Sequence, residues 1–191
     1  MQLLQDRILN DGKNLGNGIL KVDGFINHQV DPLLMDACGR ELAARFADVR
    51  ATKILTAEIS GIAPAFATAF HMGLPLVYAR KQKPVTMPDQ IFLTLTPSHT
   101  KGHVVELIVS PEFLAGGERI LIIDDFLATG QTIMGLVRLT QVAGSQVVGI
   151  GTLIEKTFEG GRGLLSSVNV PIRSLARITA MSGDSITFAE N

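Results

Sequence analysis

The 191-residue chain has one cysteine, Cys38, and no tryptophan. A single thiol cannot close an intramolecular disulfide, and no Cys/His spacing matches a structural zinc site. A reducing, cytoplasmic setting is therefore expected. Charge of one sign is also missing: 17 Lys+Arg face 18 Asp+Glu, a net charge of −1, whereas a general nucleic-acid binder carries a basic excess. No window reaches about 18 uninterrupted apolar residues, the length of a membrane span. The opening MQLLQDRILNDGKNLG places acidic residues where a signal peptide has its apolar core. Repeats, low-complexity tracts and Pro/Ser-rich linkers are absent too, so residues 1–191 are expected to form one domain.

What is there is a chain 46% hydrophobic and only 18% charged, apolar enough to offset its conformational entropy by burial. Up to about Val30 it is rich in Gly and Asn and reads as an irregular segment laid over something else. Asp31-Pro32 then supplies an N-cap and a proline at the first helical position. Leu33, Leu34, Ala37, Cys38, Leu42 and Phe46 follow at helical spacing, which places Cys38 in a core. Strand and helix patterns alternate from there: strands at 53–59, 74–79, 104–109, 119–124 and 147–155, helices at 64–71 and 132–142. Residues 174–178 and 185–188 read as short strands or a cap formed by the tail. Short β runs alternating with helices imply an α/β fold with a parallel sheet covered on both faces. The polar stretch 82–103, with Pro84, Pro88 and Pro97, is expected to be a long loop able to act as a lid. In such a sheet the ligand lies beyond the carboxyl ends of the strands. The loops at Ser60, Arg80, Asp125 and Lys156 all stand there.

The most informative segment is ILIIDDFLATGQT, residues 120–132. A buried strand leads into two carboxylates, then into a turn of small residues that opens a helix. Ala128, Thr129, Gly130, Gln131 and Thr132 can aim backbone N–H groups and two hydroxyls at a phosphate, with the helix dipole adding ~0.3–2 kcal/mol. The turn lacks the GxxxxGK[ST] pattern and lysine of a Walker loop. Asp124 and Asp125 stand just before it, where carboxylates can accept hydrogen bonds from ribose hydroxyls. Two aspartates alone would most often be solvent-facing charge, but strand, acidic pair and ATGQT together are far more specific. A 5-phosphoribosyl group would fill both parts.

With these residues in view, the sequence resembles the type I phosphoribosyltransferases. Within them it is most similar to the bacterial xanthine-using branch. The resemblance runs over nearly the whole chain through ILKVDGFINHQVDP (19–32), SGIAPA (60–65), ARK (79–81), IIDDFLATGQT, IGTLIEKTFEGGR (150–162) and SLARI (174–178). It implies a parallel sheet flanked by helices, with a core at about 31–160 and a small hood formed by about 1–30 and the tail. The implied reaction transfers ribose 5-phosphate from 5-phosphoribosyl 1-pyrophosphate, as its Mg²⁺ complex, to a purine nitrogen. Residues 128–132 would hold the 5-phosphate, and Asp124 and Asp125 the ribose. Ser60 and Gly61 would form a pyrophosphate loop, where such enzymes often carry a strained peptide. Arg80 and Lys81 would meet pyrophosphate charge across a homodimer interface, with Lys81 counted among the catalytic residues.

Lys156 lies at the carboxyl end of a buried strand. Its donor-only ammonium suits the carbonyl oxygen of a 6-oxopurine and opposes the amino group of adenine. The Asn27 amide donates or accepts, so chemistry alone leaves xanthine and guanine both open. The resemblance favours xanthine, with Leu20 packing on the base, Asn27 at its polar edge and Lys156 at its oxygen. Phe126 or Phe158 is available to stack on the ring, and Glu155 is the candidate general base. The wording ATGQT is nearer to that of adenine and other purine enzymes, so guanine/hypoxanthine and adenine phosphoribosyltransferases stay as alternatives. A non-catalytic regulator that binds 5-phosphoribosyl 1-pyrophosphate is another. The net charge and the absence of an added DNA-binding module weigh against the regulator. His99 and His103 have Gly102 between them and no HExxH context, and His28 and His71 show no partner, so a histidine metal site is not expected.

Overall fold

The computed structural model describes residues 1–97, 104–183 and 185–190. In chain order the elements are α1 (Gln2–Asp11), β1 (Lys13–Asn14), β2 (Leu20–Lys21), α2 (Pro32–Arg45), β3 (Lys53–Ala57), α3 (Ile62–Met72), β4 (Leu76–Ala79), β5 (Phe92–Pro97) and β6 (Val104–Val109). There follow β7 (Arg119–Leu127), α4 (Gln131–Val142), β8 (Gln146–Lys156), α5 (Gly161–Leu164), β9 (Ile172–Ser182) and β10 (Ser185–Phe188).

The six-stranded sheet has the order β10-β9-β8-β7-β3-β4. Every neighbouring pair is parallel except β10 with β9. Side chains along β7 alternate between two packed layers, as the two-residue period of a strand requires. Leu121 and Ile123 join the layer that holds Cys38, Leu42 and Phe46. Ile120 and Ile122 join the one that holds Ile133, Leu136 and Leu139 of α4. Each of these side chains is 0–1% exposed, and burial of that completeness stabilises by about 1.5–3 kcal/mol per large aliphatic residue. The cap read for α2 is present: the Asp31 carboxylate accepts from the amides of Leu33 and Leu34 at 3.1 Å each, with Pro32 behind it. Burial pushes the Cys38 thiol up to about 12, so it is an inert part of the core.

Three expectations are corrected. The N-terminal segment opens with the helix α1, whose Leu4 and Ile8, four apart, are fully buried. So few inward-facing apolar residues leave a weak helical signal. The stretch after residue 82 is not a loop throughout. β5 pairs with β6 as an antiparallel ribbon, and Arg138 of α4 holds it by donating to Thr94 Oγ1 at 3.1 Å and the Leu95 carbonyl at 3.0 Å. Its alternation Phe92-Leu93-Thr94-Leu95-Thr96 was the available signal, masked by the flanking prolines. The tail does not stand apart from the core, because β9 continues the main sheet beside β8 and carries it well past residue 160. Residues 98–103, including His99 and His103 and the end of the expected lid, lie outside the described residues.

Sheet order also fixes where a ligand fits. From β3 the chain steps outward to β4, and from β7 it steps the other way through β8 and β9. The β3/β7 boundary is thus the topological switch point, with a crevice beyond the carboxyl ends of its strands.

Candidate active site

That crevice is a cleft of about 350 Å³. Its walls come from the turn after β3, the segment after β4, the end of β7 with the turn into α4, the end of β8, and the N-terminal segment around Ile19 and Leu20.

At one end is the turn into α4. Ala128, Thr129, Gly130, Gln131 and Thr132 all line the cleft. Gly130 precedes the helix with φ +78°, a left-handed conformation that costs a residue with a Cβ roughly 1–2 kcal/mol. No side chain among the described residues caps α4, so the first amides of the helix are available to an anion. The turn is braced from behind, where the Gly161 amide donates to the Ala128 carbonyl at 3.0 Å.

Next to the turn stand Asp124 and Asp125, 6% and 7% exposed. β7 continues through both to Leu127, three residues beyond its expected end, and both line the cleft at the strand's mouth. The Asp125 amide donates to Asp124 Oδ1 at 3.0 Å. Burial, and then the negative charge of Asp125, holds the Asp124 carboxyl well above the ordinary carboxylate range, while Lys81 pulls weakly the other way. The turn after β3 passes close by. A Cβ on Gly61 would meet Asp124 Oδ1 at 2.5 Å and also collide with Thr56 Oγ1, so only glycine fits there. The Glu58–Ile59 peptide in this turn is cis.

Ser60 and Lys81 line the cleft as expected. Arg80 does not. Its guanidinium lies 3.2 Å from Glu58, stacks near Tyr78 and borders a second cavity with Pro84 and Met87. Glu58, unremarked in the sequence, lines the cleft and links the two loops by accepting from the Lys81 amide at 2.7 Å.

At the other end Lys156 is 7% exposed and lines the cleft with Leu20 and Phe126. Its ammonium donates to the Gly18 carbonyl at 2.6 Å and to Glu159 Oε1 at 3.1 Å, and sits 5.5 Å from the Phe126 ring centroid. Three donors with two so engaged leave one for a ligand oxygen. The Gly18 contact draws the N-terminal segment over the sheet edge. Asn27, exposed at the end of the turn after β2, is not brought to the cleft wall, and Phe158 is half-exposed outside it. Glu155 is corrected as a base. Its carboxylate, 1% exposed, is gripped by Arg162 and Ser174 away from the cleft.

The Phosphoribosyl transferase domain family matches residues 34–166. The chain belongs to the phosphoribosyltransferase family. Its relatives in that family include a protein of Listeria monocytogenes serotype 4b named xanthine phosphoribosyltransferase, 46% identical over all of this chain and 99% of its own length. Another of that name, from Deinococcus deserti, is 48% identical over 95% of this chain and 94% of its own. Among solved structures, adenine phosphoribosyltransferase of Thermoanaerobacter pseudethanolicus superposes with a TM-score of 0.74 at 23% identity, covering 91% of this chain and 99% of its own. That likeness is one of fold: a largely parallel sheet flanked by helices. No helix among the described residues is long and apolar enough to cross a membrane.

Proposed function

We propose that this chain, as one phosphoribosyltransferase domain over residues 1–191, makes xanthosine 5′-monophosphate and pyrophosphate from xanthine and 5-phosphoribosyl 1-pyrophosphate. The observation that carries the reading is the composition of one cleft. An anion-ready helix turn, two buried aspartates and a buried lysine line it together, and we assign them to phosphate, ribose and base. The full-length likeness to proteins named for xanthine supports the choice of base. The Lys156 ammonium has no acceptor for adenine's amino group, so it speaks against adenine.

In this reading the amides and hydroxyls of residues 128–132 hold the 5-phosphate and fix the sugar. The bond from the anomeric carbon to the pyrophosphate oxygen breaks, and the electron pair leaves with the pyrophosphate. A bond to the purine nitrogen forms as positive charge develops on the ribose, and the proton that nitrogen carried passes to the departing pyrophosphate or to water. Asp124 and Asp125 accept from ribose hydroxyls and the negative charge of Asp125 stabilises the developing cation, while Lys81 meets the leaving pyrophosphate; one preorganised charged group is commonly worth about 3–4 kcal/mol in a transition state. Mg²⁺ enters as part of the substrate complex. The ion would be liganded mainly by substrate phosphates and water, and Asp124 and Asp125 at the cleft would be the residues to hold it. When bound it neutralises charge on the leaving group. Leu20 and Phe126 flank the base, and Lys156 donates to its oxygen.

We also propose a cytoplasmic homodimer. Phe66 and Phe70 stand on one face of α3, 64% and 72% exposed, and border an apolar groove with Val30, Pro32 and Met35, a patch suited to a second copy. Arg80 would then serve the partner's pyrophosphate, in keeping with its place outside this chain's own cleft. The direct test offers xanthine, guanine, hypoxanthine and adenine separately with 5-phosphoribosyl 1-pyrophosphate and Mg²⁺. Preferential turnover of xanthine is expected. Preference for another base contradicts the assignment, and binding without turnover would favour a regulator.

A further inference from the structure

Behind the phosphate-binding turn lies a side-chain network that never touches the cleft. Glu155 and Lys156 are adjacent on β8, so they point to opposite faces: Lys156 into the cleft, Glu155 away from it. Arg162 grips the Glu155 carboxylate with both arms, Nε to Oε1 at 2.7 Å and Nη2 to Oε2 at 2.6 Å. Its third nitrogen donates to the Ile172 carbonyl at 3.0 Å, on the neighbouring strand β9. Ser174 Oγ donates to Glu155 Oε2 at 2.8 Å and accepts from Thr152 Oγ1 at 2.9 Å. Every arm of the network ends on the sheet.

The residue before Arg162 is Gly161, which touches the phosphate turn backbone to backbone. Its amide donates to the Ala128 carbonyl at 3.0 Å. A Cβ on Gly161 would collide with that carbonyl and lie 2.8 Å from the Gly130 amide nitrogen, and a Cβ on Gly130 would lie 3.0 Å from the Gly161 carbonyl. Neither backbone can yield as a flexible side chain would.

We infer that the Glu155–Arg162 clamp is a positioning device that sets the 5-phosphate turn in place through Gly161. The inference rests on the phosphoribosyl-transfer reading above. The bidentate fork fixes the direction of the Arg162 backbone, and with it the depth to which Gly161 wedges behind residues 128–130. Lysine keeps the charge at 162 but not the fork.

The test is steady-state kinetics of Arg162→Lys, Gly161→Ala and the double variant, with thermal melting in parallel and calorimetric titration of each protein with 5-phosphoribosyl 1-pyrophosphate and Mg²⁺. Arg162→Lys should raise KM for 5-phosphoribosyl 1-pyrophosphate about tenfold and Gly161→Ala about a hundredfold, in line with the cost of misplacing a binding group by about 1 Å. KM for xanthine should stay within about twofold. The double variant should be no worse than Gly161→Ala alone, because both act through one contact. Equal rises in both KM values, or an unchanged KM for the activated sugar in Arg162→Lys, would overturn the inference. If Gly161→Ala fails to fold, Arg162→Lys decides. If the unaltered protein binds the activated sugar but turns over no base, the functional reading fails on its own, and weakened titration in Arg162→Lys still upholds the clamp.

Discussion

The two ends of the cleft are built by different means. The end we assign to the phosphate is made of main chain: five consecutive residues, a left-handed glycine and a helix terminus, wedged from behind by another glycine's backbone. The base end is made of side chains from distant parts of the chain, with Leu20, Phe126 and Lys156 meeting only through the fold. Rigidity at the first end comes from close backbone contact. At the second, a lysine's hydrogen bonds to Gly18 and Glu159 hold the covering segment. The contrast teaches that the group common to all substrates of such a reaction can be held by a short local motif. The group that varies needs a composite surface.

Several changes would break or sharpen that contrast. Asp125→Ala should have the largest effect, lowering kcat/KM for 5-phosphoribosyl 1-pyrophosphate by about 10²–10³-fold, the usual cost of losing one charge-stabilising group; initial rates over a range of the activated sugar read it. Lys156→Ala should come next, with KM for xanthine raised on the order of 10²-fold and KM for the sugar little changed. The same variant should also melt earlier, since a buried hydrogen bond from a charged donor is worth about 1.5–3 kcal/mol. Gly130→Ala should cost roughly 1–2 kcal/mol of stability through its positive φ and weaken sugar binding before base binding, which denaturant unfolding and titration would separate.

The smallest effect concerns Asp124. Because its native carboxyl holds its proton above the ordinary range, the native state binds more protons than the unfolded chain as pH rises past that range. Stability must therefore fall with rising pH through that window. Asp124→Asn cannot ionise and should be more stable than the unaltered protein near neutral pH, the gap closing as pH falls through the ordinary carboxylate range. Melting curves across pH report it, and a gap that widens on acidification would contradict the account. Loss of stability on installing a charged functional group is the common trade at such sites.

The same contrast explains what was legible in the sequence. The phosphate turn, the acidic pair, the cap at Asp31 and the buried strands are local patterns, and the structure has them within a few residues of where periodicity and capping put them. Lys156 was legible because it ends a buried strand. Glu58 was not, since its link to the Lys81 amide joins two loops that the sequence separates by 23 positions. Arg80 was named from its place at a strand end and Asn27 from its amide and the resemblance, and the structure sets both outside the cleft wall. The orientation of Glu155 needed the register of β8, because a one-residue shift exchanges its face with that of Lys156. Helix α1 escaped because Leu4 and Ile8 are a short buried stripe, blurred by the exposed Leu3 and Leu9 beside them.

The most direct test of the division between the two ends is to measure KM for xanthine and for 5-phosphoribosyl 1-pyrophosphate in Lys156→Ala and Asp125→Ala side by side. Opposite losses are predicted, the lysine variant failing toward the base and the aspartate variant toward the activated sugar. Equal losses toward both substrates in both variants would contradict the two-ended cleft.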